Sequence, residues 1–284
     1  MEGFSRPTGG ARTIDVTLLP GADALLLAHA RELPQRDDLC GAFCGALALV
    51  AAGVRGREGR EIDQDDVALA AGSLVSSEPQ PEILPAGEHG RRDYRLDLPR
   101  IDDGARSGTT AQGVVAAIGS VSDGAAEAIP LAGPWTVGTL AGAFALVAAL
   151  ERPAALLANL HTRYLWGSHA SLGELLGHLL EGADDGPPPD WEVGHFVCVV
   201  GRATGPAGAL YALADTYRAL GADGVHMQPA ARLAAALERR EDPAGGVIAV
   251  VLREDAEHVR AGARELGLRE ALWDNGTPAA ERAA

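Results

Sequence analysis

The chain has 284 residues and a formal net charge of −15, and apolar residues make up 47% of it. A chain of this length and composition buries a core of its own, either as one large domain or as two small ones. The negative charge argues against a nucleic-acid partner, because the neutralisation of phosphates requires a basic face.

The sequence lacks the features of a membrane or secreted protein. Residues 1–12 are polar and show no apolar core of a secretion signal. The longest apolar run, 135–150, is too short to cross a bilayer. The 3 cysteines are an odd number and do not suggest a disulfide framework. We therefore expect a cytoplasmic protein without a membrane partner, and the oligomeric state stays open.

The first half of the chain favours helices. Residues 1–12 are predicted to form a disordered tail, followed by a short strand over 13–19. The apolar segment 40–52 predicts a helix, and Asp37 or Asp38 is expected to cap it. Residues 53–107 are rich in charges, Gly and Pro, which is typical of a long surface insertion. Further helices are predicted over 22–32, 65–74, 109–118 and 137–150.

The second half of the chain favours strands. A histidine and an aspartate stand near the ends of two of them, and a tail is predicted over 268–284. This segregation of helices and strands indicates an α+β fold, which we expect to form one domain over 13–267 with the insertion at about 53–107. Strands are predicted over 154–161, 194–201, 210–215 and 246–253, and helices over 169–180, 229–237 and 254–267.

Cys40 is the first candidate for a nucleophile. It opens the helical segment 40–52, and a helix N-terminus favours a thiolate through its free N–H groups and the positive end of its dipole. Gly41 follows it and permits a close approach of another chain. Gln35 lies upstream, as an uncharged donor able to complete an oxyanion hole with the Cys40 N–H.

His195 and Asp215 complete the candidate site. His195 stands at the mouth of an apolar strand in Gly194-His195-Phe196-Val197, and the next strand ends on Asp215. Two neighbouring strands with these residues can hold an imidazole by its far nitrogen and leave the other nitrogen for a thiol.

The order of these motifs resembles the papain-like cysteine peptidases, most closely the branch that trims bacteriocin leader peptides after a double glycine. The resemblance covers roughly residues 30–253. It implies a papain-like fold with Cys40 as nucleophile, Gln35 as oxyanion donor, His195 as general base and Asp215 as the residue that orients the histidine. It implies no cofactor.

Three functions follow from the resemblance. The first is hydrolysis of an amide bond, in a peptide, through a thioester. The second is transfer of the same acyl group to an amine in a natural-product pathway, and the third is a papain-like binding module without catalysis. The small residues Gly41 and Gly194 favour a narrow cleft for a peptide, and the insertion is expected to cover this cleft. Trp166 and His169 are further candidates for its lining.

The remaining cysteines and histidines are interpreted as structural. Cys44 lies one helical turn after Cys40 and is the alternative nucleophile if the helix starts later. Cys198 alternates with valines inside a strand. His161 and His169 lack the spacing of a metal motif, so no metal site is predicted. His226, near the start of the helix predicted at 229, is expected to lie on the surface.

Overall fold

The computed structural model describes residues 13–56, 59–239 and 244–278. The tail predicted over residues 1–12 lies outside these ranges, and so does the end of the C-terminal tail. The strands of the described residues are β1 (Asp15–Leu18), β2 (Val75–Ser76), β3 (Arg100–Ile101), β4 (Ala126–Ala132), β5 (Ala154–His161), β6 (Gly194–Thr204), β7 (Ala209–Ala214), β8 (Val225–Pro229), β9 (Gly246–Leu252) and β10 (Arg269–Glu270). The α-helices are α1 (Ala22–Glu32), α2 (Cys40–Ala51), α3 (Gln64–Ala71), α4 (Ala111–Val121), α5 (Val137–Ala148), α6 (Leu172–Glu181), α7 (Ala230–Glu238) and α8 (Ala256–Glu265).

One antiparallel sheet organises the fold. Its strands follow the order β10-β4-β9-β5-β6-β7-β8, and β1 pairs with the far end of β6. A separate parallel pair is formed by β2 and β3. The α+β prediction is confirmed.

Helices cover both faces of the sheet because successive side chains of each buried strand point to opposite sides. In β6, Phe196 and Cys198 face the core beneath α1 to α4, whereas Val197 and Val199 face the core beneath α5, α7 and α8. A strand buried on both faces is apolar at every position, as β6 is over 196–200.

Helix α2 lies at the centre of the first core. It packs against β5, β6, α1, α3 and α4, and nearly all of its residues are buried. An apolar surface all round is the pattern of a helix buried on every side. Its first residue, Cys40, is only partly buried, so the N-terminus of α2 meets solvent at one end of the sheet.

Part of the 53–107 insertion belongs to this core. Helix α3 buries Val67 and Ala68 beneath α2, and a capping box at Asp63 starts it. The later part, 77–99, runs without a strand or α-helix and contains one turn of 3₁₀ helix, Pro81–Ile83.

Three expectations are corrected. Strands β4 and β8 were not predicted. His226 was expected on the surface but lies in β8 with 5% of its area exposed. Residues 268–278 were predicted as the start of a tail, yet β10 pairs with β4, and the indole of Trp273 donates to Asn159 at 2.9 Å.

None of the helices in the described residues has the length and apolar character needed to cross a bilayer.

Candidate active site

A cleft of about 630 Å³ opens where the N-terminus of α2 meets β5, β6 and the end of β7. Four of the predicted site residues line it: Gln35, Cys40, Gly194 and His195. Asp215 lies directly behind His195, bonded to it and 1% exposed.

Cys40 is the first residue of α2, and no side chain caps this helix. The N-cap position is Leu39, so the predicted cap by Asp37 or Asp38 is wrong. The Asp38 carboxylate instead accepts hydrogen bonds from the Ser76 N–H at 2.8 Å and the Ser107 hydroxyl at 2.6 Å. The Cys40 N–H has no acceptor in the described ranges, so it and the helix dipole act directly on a group at the cleft.

His195 faces Cys40 from the start of β6. Its Nε2 lies 3.0 Å from Asp215 Oδ1 and 3.2 Å from the Thr216 hydroxyl, which leaves Nδ1 for Cys40. Burial lowers the pKa of His195, but attraction to Asp215, their hydrogen bond and a hydrogen bond with Cys40 raise it from 6.5 to about 10. The imidazole is therefore a cation at neutral pH.

Asp215 follows β7 and is held at both carboxylate oxygens. Oδ1 accepts from His195 and from the Thr216 N–H at 2.6 Å, and Oδ2 lies 3.2 Å from His226 Nε2. Burial raises the pKa of Asp215, but attraction and hydrogen bonds from His195 and His226 outweigh it and hold the pKa well below its usual value. His29 Nε2 donates to the Asp215 carbonyl at 2.5 Å.

Gln35 is 4% exposed and lines the cleft beside Cys40. Its backbone N–H donates to the Thr216 carbonyl at 2.9 Å, which ties the loop before α2 to the loop after β7. Its side-chain Oε1 is buried without a hydrogen-bond partner in the described residues. A buried amide oxygen without an internal partner at the wall of a cleft is free to accept a hydrogen bond from a ligand there.

Two aromatic residues that the sequence did not single out pack against His195. The Trp191 ring meets the imidazole edge-on at 4.8 Å, and the Tyr217 ring stacks on it at 6.4 Å with an angle of 17°. The Trp191 indole donates to the Ile83 carbonyl at 2.8 Å. These rings shield the imidazole from water and limit its rotation.

Asn159 of β5 is a second polar residue that the sequence did not single out. It is 2% exposed and lines the cleft. Its Nδ2 donates to the His195 carbonyl at 3.3 Å, and its Oδ1 accepts from Arg239 at 3.0 Å and from Trp273 at 2.9 Å. The amide thus fixes the backbone of β6 at the histidine.

The outer walls of the cleft come from two segments far apart in the sequence. Residues of the 53–107 insertion, among them Glu78, Ile83 and Arg92, form one wall, and the segment 275–277 forms part of another. Asn275 Nδ2 donates to the Thr109 carbonyl at 2.9 Å, and the Thr277 hydroxyl donates to the Ser107 carbonyl at 3.3 Å.

Three predicted lining residues lie elsewhere. Gly41 is buried, and a Cβ at this position would lie 3.1 Å from Thr109 and 3.2 Å from both Phe196 and Val114. Trp166 is 3% exposed, and its indole donates to Asp184 at 3.1 Å. His169 is exposed and donates to the Ala219 carbonyl at 2.9 Å. The close approach expected at Gly41 is made by this chain's own side chains.

Gly41→Ala tests this packing role. A methyl group at this position has to push three side chains aside, which costs more than the helix propensity gained, so we expect a loss of about 1 kcal/mol in the free energy of unfolding. Urea denaturation measures it. Gly119→Ala in α4 is the matched control, because nothing lies within 4 Å of its added Cβ, and it should stabilise the protein instead. Equal effects at both positions would contradict the packing role.

The other cysteines are unsuited to attack. Cys44 and Cys198 are both 0% exposed, and the Cys198 thiol lies 3.9 Å from the Cys44 carbonyl. Burial, with the neighbouring thiol of Cys198, raises the pKa of Cys44 well above its usual value. In the described part of the chain, no group of three or more His, Cys, Asp or Glu side chains is arranged to hold a metal ion.

Comparison with known proteins adds a family but no activity. Residues 19–274 match a family of unknown function, DUF6885. The chain belongs to this family. The matched region contains the whole Cys40–His195–Asp215 arrangement and the 53–107 segment, and it ends just before the cleft-lining residues 275–277. No curated protein matches the chain.

Proposed function

We propose that this protein is a cysteine-dependent hydrolase that cleaves an amide bond, in a peptide, through a thioester intermediate on a papain-like fold. One observation carries the proposal. Cys40, at the uncapped N-terminus of a buried helix, faces a histidine whose other ring nitrogen is bound to a buried aspartate. A thiolate paired with an imidazolium is the form of cysteine that attacks a carbonyl group.

The reaction follows from the positions of these groups. The Cys40 sulfur attacks the carbonyl carbon, and the negative charge moves to the carbonyl oxygen. The Cys40 N–H and the Gln35 amide are the donors available to that oxygen. His195 Nδ1 gives its proton to the leaving nitrogen, the C–N bond breaks, and an amine departs from the thioester.

Water then completes the cycle. His195, now neutral, accepts a proton from water as the oxygen attacks the thioester carbon. The C–S bond breaks, the carboxylic acid leaves, and the thiolate and imidazolium are restored. Asp215 stays ionised throughout and stabilises the imidazolium in both halves of the reaction.

The architecture supports the papain-like assignment. The nucleophile helix α2 packs on an antiparallel sheet, the histidine opens β6, and the aspartate follows the neighbouring strand β7. The cleft is bounded by the helix N-terminus on one side and by the ends of β5 and β6 on the other. Its size, about 630 Å³, suits several residues of an extended peptide.

Limiting alkylation of the folded protein tests the nucleophile. We expect iodoacetamide to label Cys40 before the two buried cysteines and to do so even at about pH 6, because the imidazolium stabilises the thiolate. In His195→Ala the rate at this pH should fall by about 100-fold. His169→Ala, an exposed histidine outside the cleft, should leave the rate unchanged. Peptide mass spectrometry identifies the labelled cysteine.

A Cys40 that reacts no faster than a free thiol, with the same rate in His195→Ala, would overturn the hydrolase and favour the binding module. Incubation of the protein with a mixture of known tryptic peptides in H₂¹⁸O then separates hydrolysis from transfer. Hydrolysis places ¹⁸O in the new carboxyl group, whereas transfer joins an amine to the acyl fragment. Cys40→Ala is the control for both products.

A further inference from the structure

Three buried histidines surround Asp215, and only one of them reaches the cleft. His195 binds Oδ1 and faces Cys40, and His29 binds the backbone carbonyl. The third, His226, binds Oδ2 at 3.2 Å. It lies in β8, directly opposite Leu213 of β7. Leu213 comes two residues before Asp215, so His226 lies beside the end of the strand that leads to the aspartate.

Gln228 fixes which nitrogen of His226 carries the proton. Its amide oxygen accepts from the Trp166 N–H at 2.8 Å, and its amide nitrogen donates to the Trp166 carbonyl at 2.9 Å. The same nitrogen lies 3.0 Å from His226 Nδ1. Because the amide can only donate at that atom, Nδ1 is the acceptor, and the proton of neutral His226 is on Nε2, facing Asp215.

We propose that His226, oriented by Gln228, is a positioning residue that fixes the Asp215 carboxylate and, through it, the His195 ring at the cleft. The inference rests on the proposed function, since it assigns a role in aligning the same histidine. Without His226, Oδ2 would be a buried carboxylate oxygen without a donor, and the carboxylate would lose the bond that prevents its rotation about the side chain.

Titratable and charged groups from several packed elements surround Asp215. Burial lowers the pKa of His29, which keeps that ring neutral at pH 7. The groups that face Asp215 or act on its neighbours from each packed element are His29 of α1, Cys40 and Cys44 of α2, His195 of β6, Tyr217 and Arg218 after β7, and His226 of β8.

The test compares two substitutions of His226 that differ in reach. Gln places an amide nitrogen near the position of Nε2 and keeps a donor for Asp215, whereas Leu fills the space without a donor. We expect His226→Leu to slow Cys40 alkylation at about pH 6 by about 10-fold or more and to move its acid limb to higher pH, because a His195 ring that is no longer held against Cys40 stabilises its thiolate less. His226→Gln should restore both towards the wild type.

Folding is measured separately, by the urea midpoint of each variant. If His226→Leu does not fold, His226→Asn takes its place, because its shorter amide does not reach Oδ2. Suppose that the alkylation profile of His226→Leu, or of His226→Asn in its place, equals that of the wild type, while the wild-type reactivity depends on His195. This result would overturn the positioning role and leave the proposed function standing. An equal loss in the Gln and Leu variants would overturn it as well, since it would show a packing role. A wild-type Cys40 without His195-dependent reactivity would instead contradict the proposed function.

Discussion

Asp215→Asn is expected to lower the rate of Cys40 alkylation at pH 7 by about 100-fold and to lower peptide hydrolysis by a similar factor or more. With the negative charge gone, burial is the largest remaining influence on His195 and lowers its pKa from about 10 to below neutrality. The imidazole is then neutral at pH 7, and the thiolate loses its counter-ion. Above about pH 9 the two proteins should converge, because the thiol ionises without help.

The network behind the site makes asparagine a poor substitute for Asp215. Its oxygen has to face His195 and the Thr216 N–H, which turns its NH₂ group towards the Nε2–H of His226, donor against donor. Asp190→Asn is the control, because within the described residues that carboxylate accepts from Ser168 and contacts no histidine. A wild-type alkylation profile in Asp215→Asn would show that the charge of Asp215 does not hold the imidazolium.

Local chemistry made the centre of the site predictable from the sequence. Cys40 begins a strongly apolar helix, His195 interrupts the start of an apolar strand, and Asp215 ends the next. Each of these is a contrast between a polar residue and its immediate neighbours. The bounds of the helix 22–32 were also predictable from nearby residues, since Gly21 precedes the helix and Pro34 ends the helical pattern after it. Whether Cys40 acts as a nucleophile is a matter for the alkylation experiment.

The parts that the sequence did not reveal depend on partners far along the chain. Strand β8 carries His226 and Gln228, and buried polar residues of this kind look like surface until their partners, Asp215 and Trp166, are known. Strand β4 contains Pro130, which weakens a strand prediction. Trp166 was predicted as a lining residue of the cleft. It supports the site from behind, since its backbone holds Gln228.

The charge of His195 should also make the free energy of unfolding depend on pH, independently of any catalysis. The pKa of His195 is raised above the 6.5 of the unfolded chain, so its contribution to folding is complete below about pH 6.5 and is lost as the pH rises towards the folded value. Cys40 is hydrogen-bonded to this imidazole, so the measurement uses Cys40→Ala, which removes that thiol from the titration. We expect its free energy of unfolding to fall by about 1–2 kcal/mol between pH 7 and pH 9 through His195.

Cys40→Ala/His195→Gln supplies the comparison, because it differs from Cys40→Ala only at His195. Urea midpoints and m-values, measured at several pH values with a reductant, give the two curves. The difference in the free energy of unfolding between the two proteins should narrow steadily as the pH rises, since only Cys40→Ala contains the His195 imidazolium, which loses its proton. His29, whose folded pKa is lowered, acts with the opposite sign, and only below about pH 6.5. Parallel curves from pH 7 to pH 9 would mean that His195 is already neutral beside Asp215, and the thiolate would then lack the partner on which the proposed reaction depends.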